Sequence, residues 1–109
     1  MTTEKTKDGV RITNQFRAKR AMVYEFKCEG AKLAVHVIPR ENVDDGGEWR
    51  VEARTGHSAE SPSVSQWGAT RADALREVGL AWASQEETSG WPHFDWEAVT
   101  KALTAVRAL

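Results

Sequence analysis

The sequence predicts an α+β domain: an antiparallel sheet of four or five strands followed by two helices packed on one of its faces. Alternating apolar and polar residues, the period of a half-buried strand, fill the first two thirds of the chain. Helix-period apolar stripes fill the last third. No helical pattern interrupts the strands, so the βαβ order of a parallel sheet is missing. A chain of 109 residues supports one compact domain with one core, here 1–109, with the polar segment 1–9 expected to be frayed.

The strands follow in order. Val10, Ile12 and Phe16 suggest a first extended segment that ends in Arg17-Ala18-Lys19-Arg20. From Ala21 to Cys28, Met22, Tyr24, Phe26 and Cys28 alternate with Val23, Glu25 and Lys27. Glu29-Gly30 is a two-residue hairpin turn in which glycine can take a positive φ. The return strand is Ala31 to Ile38, with Leu33, Val35 and Val37 on one face and Lys32, Ala34, His36 and Ile38 on the other. Pro39 ends it, and a polar loop over 39–47 follows. Glu48 to Arg54 alternates most cleanly, Trp49, Val51 and Ala53 against Glu48, Arg50, Glu52 and Arg54. After a second loop, Thr55 to Pro62, a short strand covers Ser63 to Trp67.

The helices carry their own punctuation. Thr70 with Asp73 three residues on forms a capping box at the start of the first helix. Leu75, Val78 and Trp82 make its stripe, widened by Ala72, Gly79 and Ala83. Gly79 is expected to permit close packing on the sheet, and the helix to fray through Gln85-Glu86-Glu87 before Ser89-Gly90. Asp95 caps the last helix with a negative charge on its positive end. Phe94 and Val99 are spaced as a hydrophobic staple. Trp96, Val99, Leu103 and Val106 make the stripe, with Ala102 and Leu109 beside it and Glu97–Lys101 as an i,i+4 pair.

Composition narrows the function classes. Hydrophobic content of 40% and charged content of 28% are ordinary for a water-soluble domain. A single cysteine, Cys28, rules out an internal disulfide or a cysteine-based zinc site and suits a reducing compartment. No apolar run approaches the roughly 18 residues of a membrane span, and the N-terminal residues lack a secretory apolar stretch. A cytoplasmic, non-membrane protein is expected. No enzyme motif is found, so the expectation is no catalytic residue, metal ligand or cofactor. His36, His57 and His93 match no metal spacing. Asp44, Asp45 and Glu48 around Gly46-Gly47 read as a solvated loop, and Cys28 reads as a small core residue.

Two candidate surfaces remain. Residues 1–40 carry nine Lys/Arg against four Asp/Glu, and residues 41–109 carry six against twelve. The basic part either pairs with the acidic part inside the fold or faces a partner. Arg11, Phe16, Arg17, Lys19 and Arg20 form the nucleic-acid candidate, cations beside an aromatic ring. The five tryptophans all lie between Trp49 and Trp96. Trp49, Trp82 and Trp96 fall on apolar stripes and Trp67 closes a strand. Trp91, with His93 beside it, lacks such an assignment and is the candidate anchor for a protein partner or a second copy of the chain.

Gly68-Ala69-Thr70-Arg71-Ala72-Asp73-Ala74-Leu75 resembles the strand-to-helix junction of HicB-type antitoxin domains, and the strands at 31–38, 48–54 and 63–67 follow a compatible order. The resemblance covers residues 33–86. It implies an α+β module that binds another protein. The Pro-Gly segment usual between the second and third strands of that family is replaced by Thr55-Gly56-His57-Ser58, an extra strand precedes the core, and one amphipathic helix stands in place of a DNA-binding module. The expected function is therefore a small non-enzymatic protein-binding or self-associating module, with nucleic-acid binding through residues 11–20 as the alternative.

Overall fold

The computed structural model describes residues 9–28, 31–39, 49–56 and 58–109. The expectations for residues 1–8, the Glu29-Gly30 turn, the Asp44/Asp45 loop with Glu48, and His57 lie outside the described residues. Five strands come first: β1 (Arg11–Ala18), β2 (Ala21–Cys28), β3 (Ala31–Ile38), β4 (Trp49–Arg54) and β5 (Ser63–Gly68). Helices α1 (Arg71–Ser89) and α2 (Trp96–Ala105) follow. Every strand pairs antiparallel with its sequence neighbour, so the sheet is a meander in the order β1-β2-β3-β4-β5.

Register decides which residues share a face. Tyr24 sits opposite Val35, Val35 opposite Ala53, and Ala53 opposite Val64. Phe26 with Leu33, and Val37 with Val51, extend the same face. These side chains, Val64 only in part, are buried with Ala74, Leu75, Val78 and Trp82 of α1 and Val99 and Leu103 of α2. Cys28 belongs to this core, as expected. Both helices thus cover one face of the sheet.

The strand-to-helix junction depends on Gly68. A Cβ there would lie 2.4 Å from the backbone nitrogen of Ala74, so only glycine lets the first turn of α1 approach the end of β5. Thr70 caps α1 by accepting from the Asp73 N–H at 3.0 Å. Contrary to expectation, α1 does not fray at Gln85–Glu87 but runs to Ser89, where Gly90 turns left-handed (φ 69°) and donates to the Glu86 carbonyl. The Glu86 carboxylate also holds the chain beyond the helix, 2.9 Å from His93 Nδ1 and 3.4 Å from the Phe94 N–H it accepts from. These are contacts across seven and eight residues, which helix propensity alone does not reveal.

Four further expectations are corrected. Gly79 faces Trp96 of α2, whose Cγ would be 3.2 Å from an added Cβ, so it serves helix-to-helix contact rather than contact with the sheet. Ala72 and Ala83 are exposed, and Ala74 widens the α1 stripe instead. Val106 is exposed because α2 ends at Ala105. Arg107 turns left-handed there (φ 61°), and the N–H groups of Arg107 and Ala108 bond back to the Thr104 and Leu103 carbonyls. That Schellman closure buries Ala108 in place of Val106. Asp95 does cap α2, accepting from the Ala98 N–H at 3.1 Å, and Phe94 and Val99 are both buried. Glu97 and Lys101 are exposed and make no ion pair among the described residues.

Candidate binding face of the sheet

The strands have a second face, and among the described residues neither helix reaches it. Its side chains follow from the same registers. Ala18 faces Ala21 on β1 and β2, and Ile38, Arg50 and Trp67 form a row from β3 to β5. The next runs Phe16, Val23, His36, Glu52, Ser65, and a third runs Asn14, Glu25, Ala34, Arg54, Ser63. Beyond these, Arg11, Lys27 and Lys32 stand abreast on β1, β2 and β3.

This face is neither dry nor uniformly polar. Phe16 and Trp67 are among the few large apolar side chains that are exposed, at 40% and 54%. They stand on the two outermost strands, four inter-strand spacings or roughly 19 Å apart. Val23 lies between Phe16 and His36 in register and is only 2% exposed. The Arg50 guanidinium sits 5.6 Å from the Trp67 ring centroid, close enough for a cation–π contact, and reaches Ser65 Oγ at 3.5 Å.

The carboxylates here are already engaged. Glu52 pairs with Arg54 at 3.4 Å, and Glu25 accepts from Asn14 Nδ2 at 3.3 Å. Arg54 also donates to the carbonyls of Gly56 (2.6 Å) and Ser58 (3.1 Å), pinning the loop after β4. A cleft of about 580 Å³ opens beside that loop, lined by Thr13, Glu25, Lys27, Lys32, Arg54 and Thr55 among others. His36 stands half-buried in the middle row. Burial pushes its pKa below the usual 6.5, with Arg54 and Arg50 acting in the same direction and Glu52 and Glu25 opposing, so the ring is neutral at pH 7.

The residues singled out in the sequence fall in different places. Of the basic cluster, Arg11 and Phe16 are on the uncovered face, Arg17 pairs with Met22 and so has the helix-side parity, and Lys19 and Arg20 form the β1–β2 turn. Lys19 adopts a positive φ of 56° in that turn. The ion pairs between described residues (Glu52–Arg54, Asp73–Arg76 and Glu86–His93) all lie in the acidic part of the sequence.

Trp91 and His93 sit at the other side of the molecule, in the link between α1 and α2. Trp82, fully buried, is the hub of that region: its ring lies 4.7 Å from Trp91, 5.5 Å from Phe94 and 5.9 Å from Trp96, and its Nε1 donates to the Pro92 carbonyl at 2.9 Å. Trp91 is therefore half-buried against an internal ring, while the His93 ring is exposed and tied to Glu86. Trp67 is the more exposed indole. Its parity with Ser65 and Ser63 was the available sequence signal.

Among the described residues no group of three or more His, Cys, Asp or Glu side chains is placed to hold a metal ion. No helix of the described residues is long and apolar enough to cross a membrane. No protein-family model, curated protein or solved structure matches the chain.

Proposed function

We propose that this chain is a non-enzymatic module that binds single-stranded nucleic acid on the uncovered face of its sheet. The observation that carries the reading is the exposure of Phe16 and Trp67 on the same face as Arg11, Lys27, Lys32, Arg50 and Arg54. Exposed rings stack bases whatever the sequence, and flanking cations follow the phosphate backbone. A single strand suits the surface better than a duplex, because only unpaired bases offer their faces to a flat sheet. Against these five cations stand two carboxylates, Glu25 and Glu52, so the described residues of this face keep a positive balance.

The β1 edge is unsuited to strand-to-strand self-association, whereas β5 forms the other edge. β1 carries a register shift between Ile12 and Asn14 and exposes Arg11 and Arg17, and both a bulge and edge charge discourage a further strand from pairing.

The test is fluorescence anisotropy of a labelled mixed-sequence 12-nucleotide single strand at low salt. Binding should weaken in Phe16→Ala and in Trp67→Ala, by about 1–3 kcal/mol for each base stack removed. No binding of either single-stranded DNA or RNA at low salt would overturn the reading. The competing reading is a protein partner at Trp91 and His93, in keeping with the HicB-like junction. A Trp91→Ala variant that keeps its stability while losing self-association or a partner would favour that reading, whereas the packing on Trp82 leads us to expect a stability loss of about 1–2 kcal/mol.

A further inference from the structure

The row Arg11–Lys27–Lys32 is unusual for a sheet. Like charges placed directly opposite each other across paired strands repel and destabilise the pairing, yet here three cations stand abreast on adjacent strands. None of the three makes an ion pair among the described residues. Glu25, the nearest carboxylate by register, is in the neighbouring row and accepts from Asn14; it shares the wall of the cleft with Lys27, Lys32 and Arg54, which outnumber it. Lys27 and Lys32 also line the cleft of about 580 Å³, a size within the range of ligand sites, with Thr13 and Thr55 in its wall. Arg54 in the same wall is occupied by Glu52 and two carbonyls, so it fixes the shape of the cleft and adds positive charge.

From this juxtaposition we infer that Arg11, Lys27 and Lys32, with the adjoining cleft, form a phosphate-binding site. An anion lodged between the cationic groups relieves the repulsion that the register imposes, and two or more phosphate oxygens match donors arriving from neighbouring strands. The inference deepens the proposed function and rests on it for the source of the phosphate: the backbone of a strand whose bases lie toward Phe16 and Trp67. A small free phosphate compound is the other source of the same chemistry.

Two probes separate these cases, inorganic pyrophosphate and the labelled 12-nucleotide strand, each with wild type and with the Lys27→Gln/Lys32→Gln double variant. Both lysines are exposed, so the variant should fold, with stability at low salt equal to or above that of wild type. We expect millimolar pyrophosphate to raise the wild-type Tm and not that of the variant. We expect the log–log salt dependence of strand binding to be shallower in the variant, by about one unit for each phosphate that is no longer neutralised. A pyrophosphate shift without strand binding keeps the site, assigns it to a small phosphate and overturns the proposed function. Strand binding whose affinity and salt slope are the same in the variant keeps the function and overturns the site. Absence of both responses overturns both.

Discussion

The two faces of one sheet divide the work of this molecule. On the covered face, Tyr24, Phe26, Leu33, Val35, Val51 and Ala53 meet the helices and exclude water, which accounts for most of the stabilisation. On the other face the same strands, displaced by one residue, present Phe16, His36, Arg50, Glu52 and Trp67. Since strand parity is two, each residue of β2 to β5 serves either folding or the surface, and few serve both. Tryptophan shows the contrast best. Trp82 is wholly enclosed and hydrogen-bonded, whereas Trp67 is more than half exposed, with Arg50 over its ring.

The sharpest way to break that comparison is to truncate both indoles. Trp82→Ala should cost about 3–5 kcal/mol of unfolding free energy in urea titration, since it empties the centre of the aromatic cluster. Trp67→Ala should stay within about 0.5 kcal/mol of wild type. Equal losses would mean that the uncovered face is part of the core. Next in size is Gly68→Ala, expected to cost about 1–3 kcal/mol because a methyl meets the backbone of α1 rather than a movable side chain. An unchanged Tm would show that the junction has slack.

The smallest effect belongs to His36. Its folded pKa lies below the unfolded 6.5, so protonation favours the unfolded chain. Its neutral burial therefore adds stability above pH 6.5 that is lost as pH falls through 6.5 toward the folded pKa. His36→Gln should flatten that part of the stability–pH curve. An identical slope in wild type and variant would remove His36 from the account.

Much of the covered face was legible because its signals are local. The alternation of Met22 to Cys28, of Leu33 to Val37 and of Trp49 to Ala53 assigns the core side without any knowledge of pairing, and the caps at Thr70 and Asp95 act within three residues. What the pattern could not convey are contacts made at a distance. The tether from Glu86 to His93 and Phe94 lengthens α1, Gly79 meets Trp96 from another helix, and Trp82 receives Trp91. The uncovered face was half legible. Its parity was visible, but the basic cluster read as one run of sequence is split between two faces and a turn, and only Arg11 and Phe16 of it remain on the uncovered face. The Lys27–Lys32 pair follows from the expected pairing of 21–28 with 31–38, whereas adding Arg11 required the register of β1, which the weak pattern of that strand does not reveal.

We propose that the uncovered face binds while the covered face folds. Anisotropy of the labelled single strand with wild type and Phe16→Ala/Trp67→Ala, at low salt and beside a urea titration of both proteins, tests it directly. Wild type should bind the strand, and the double variant should bind at least about tenfold more weakly while its stability stays within about 1 kcal/mol of wild type. Undiminished binding by a variant that remains folded would contradict it.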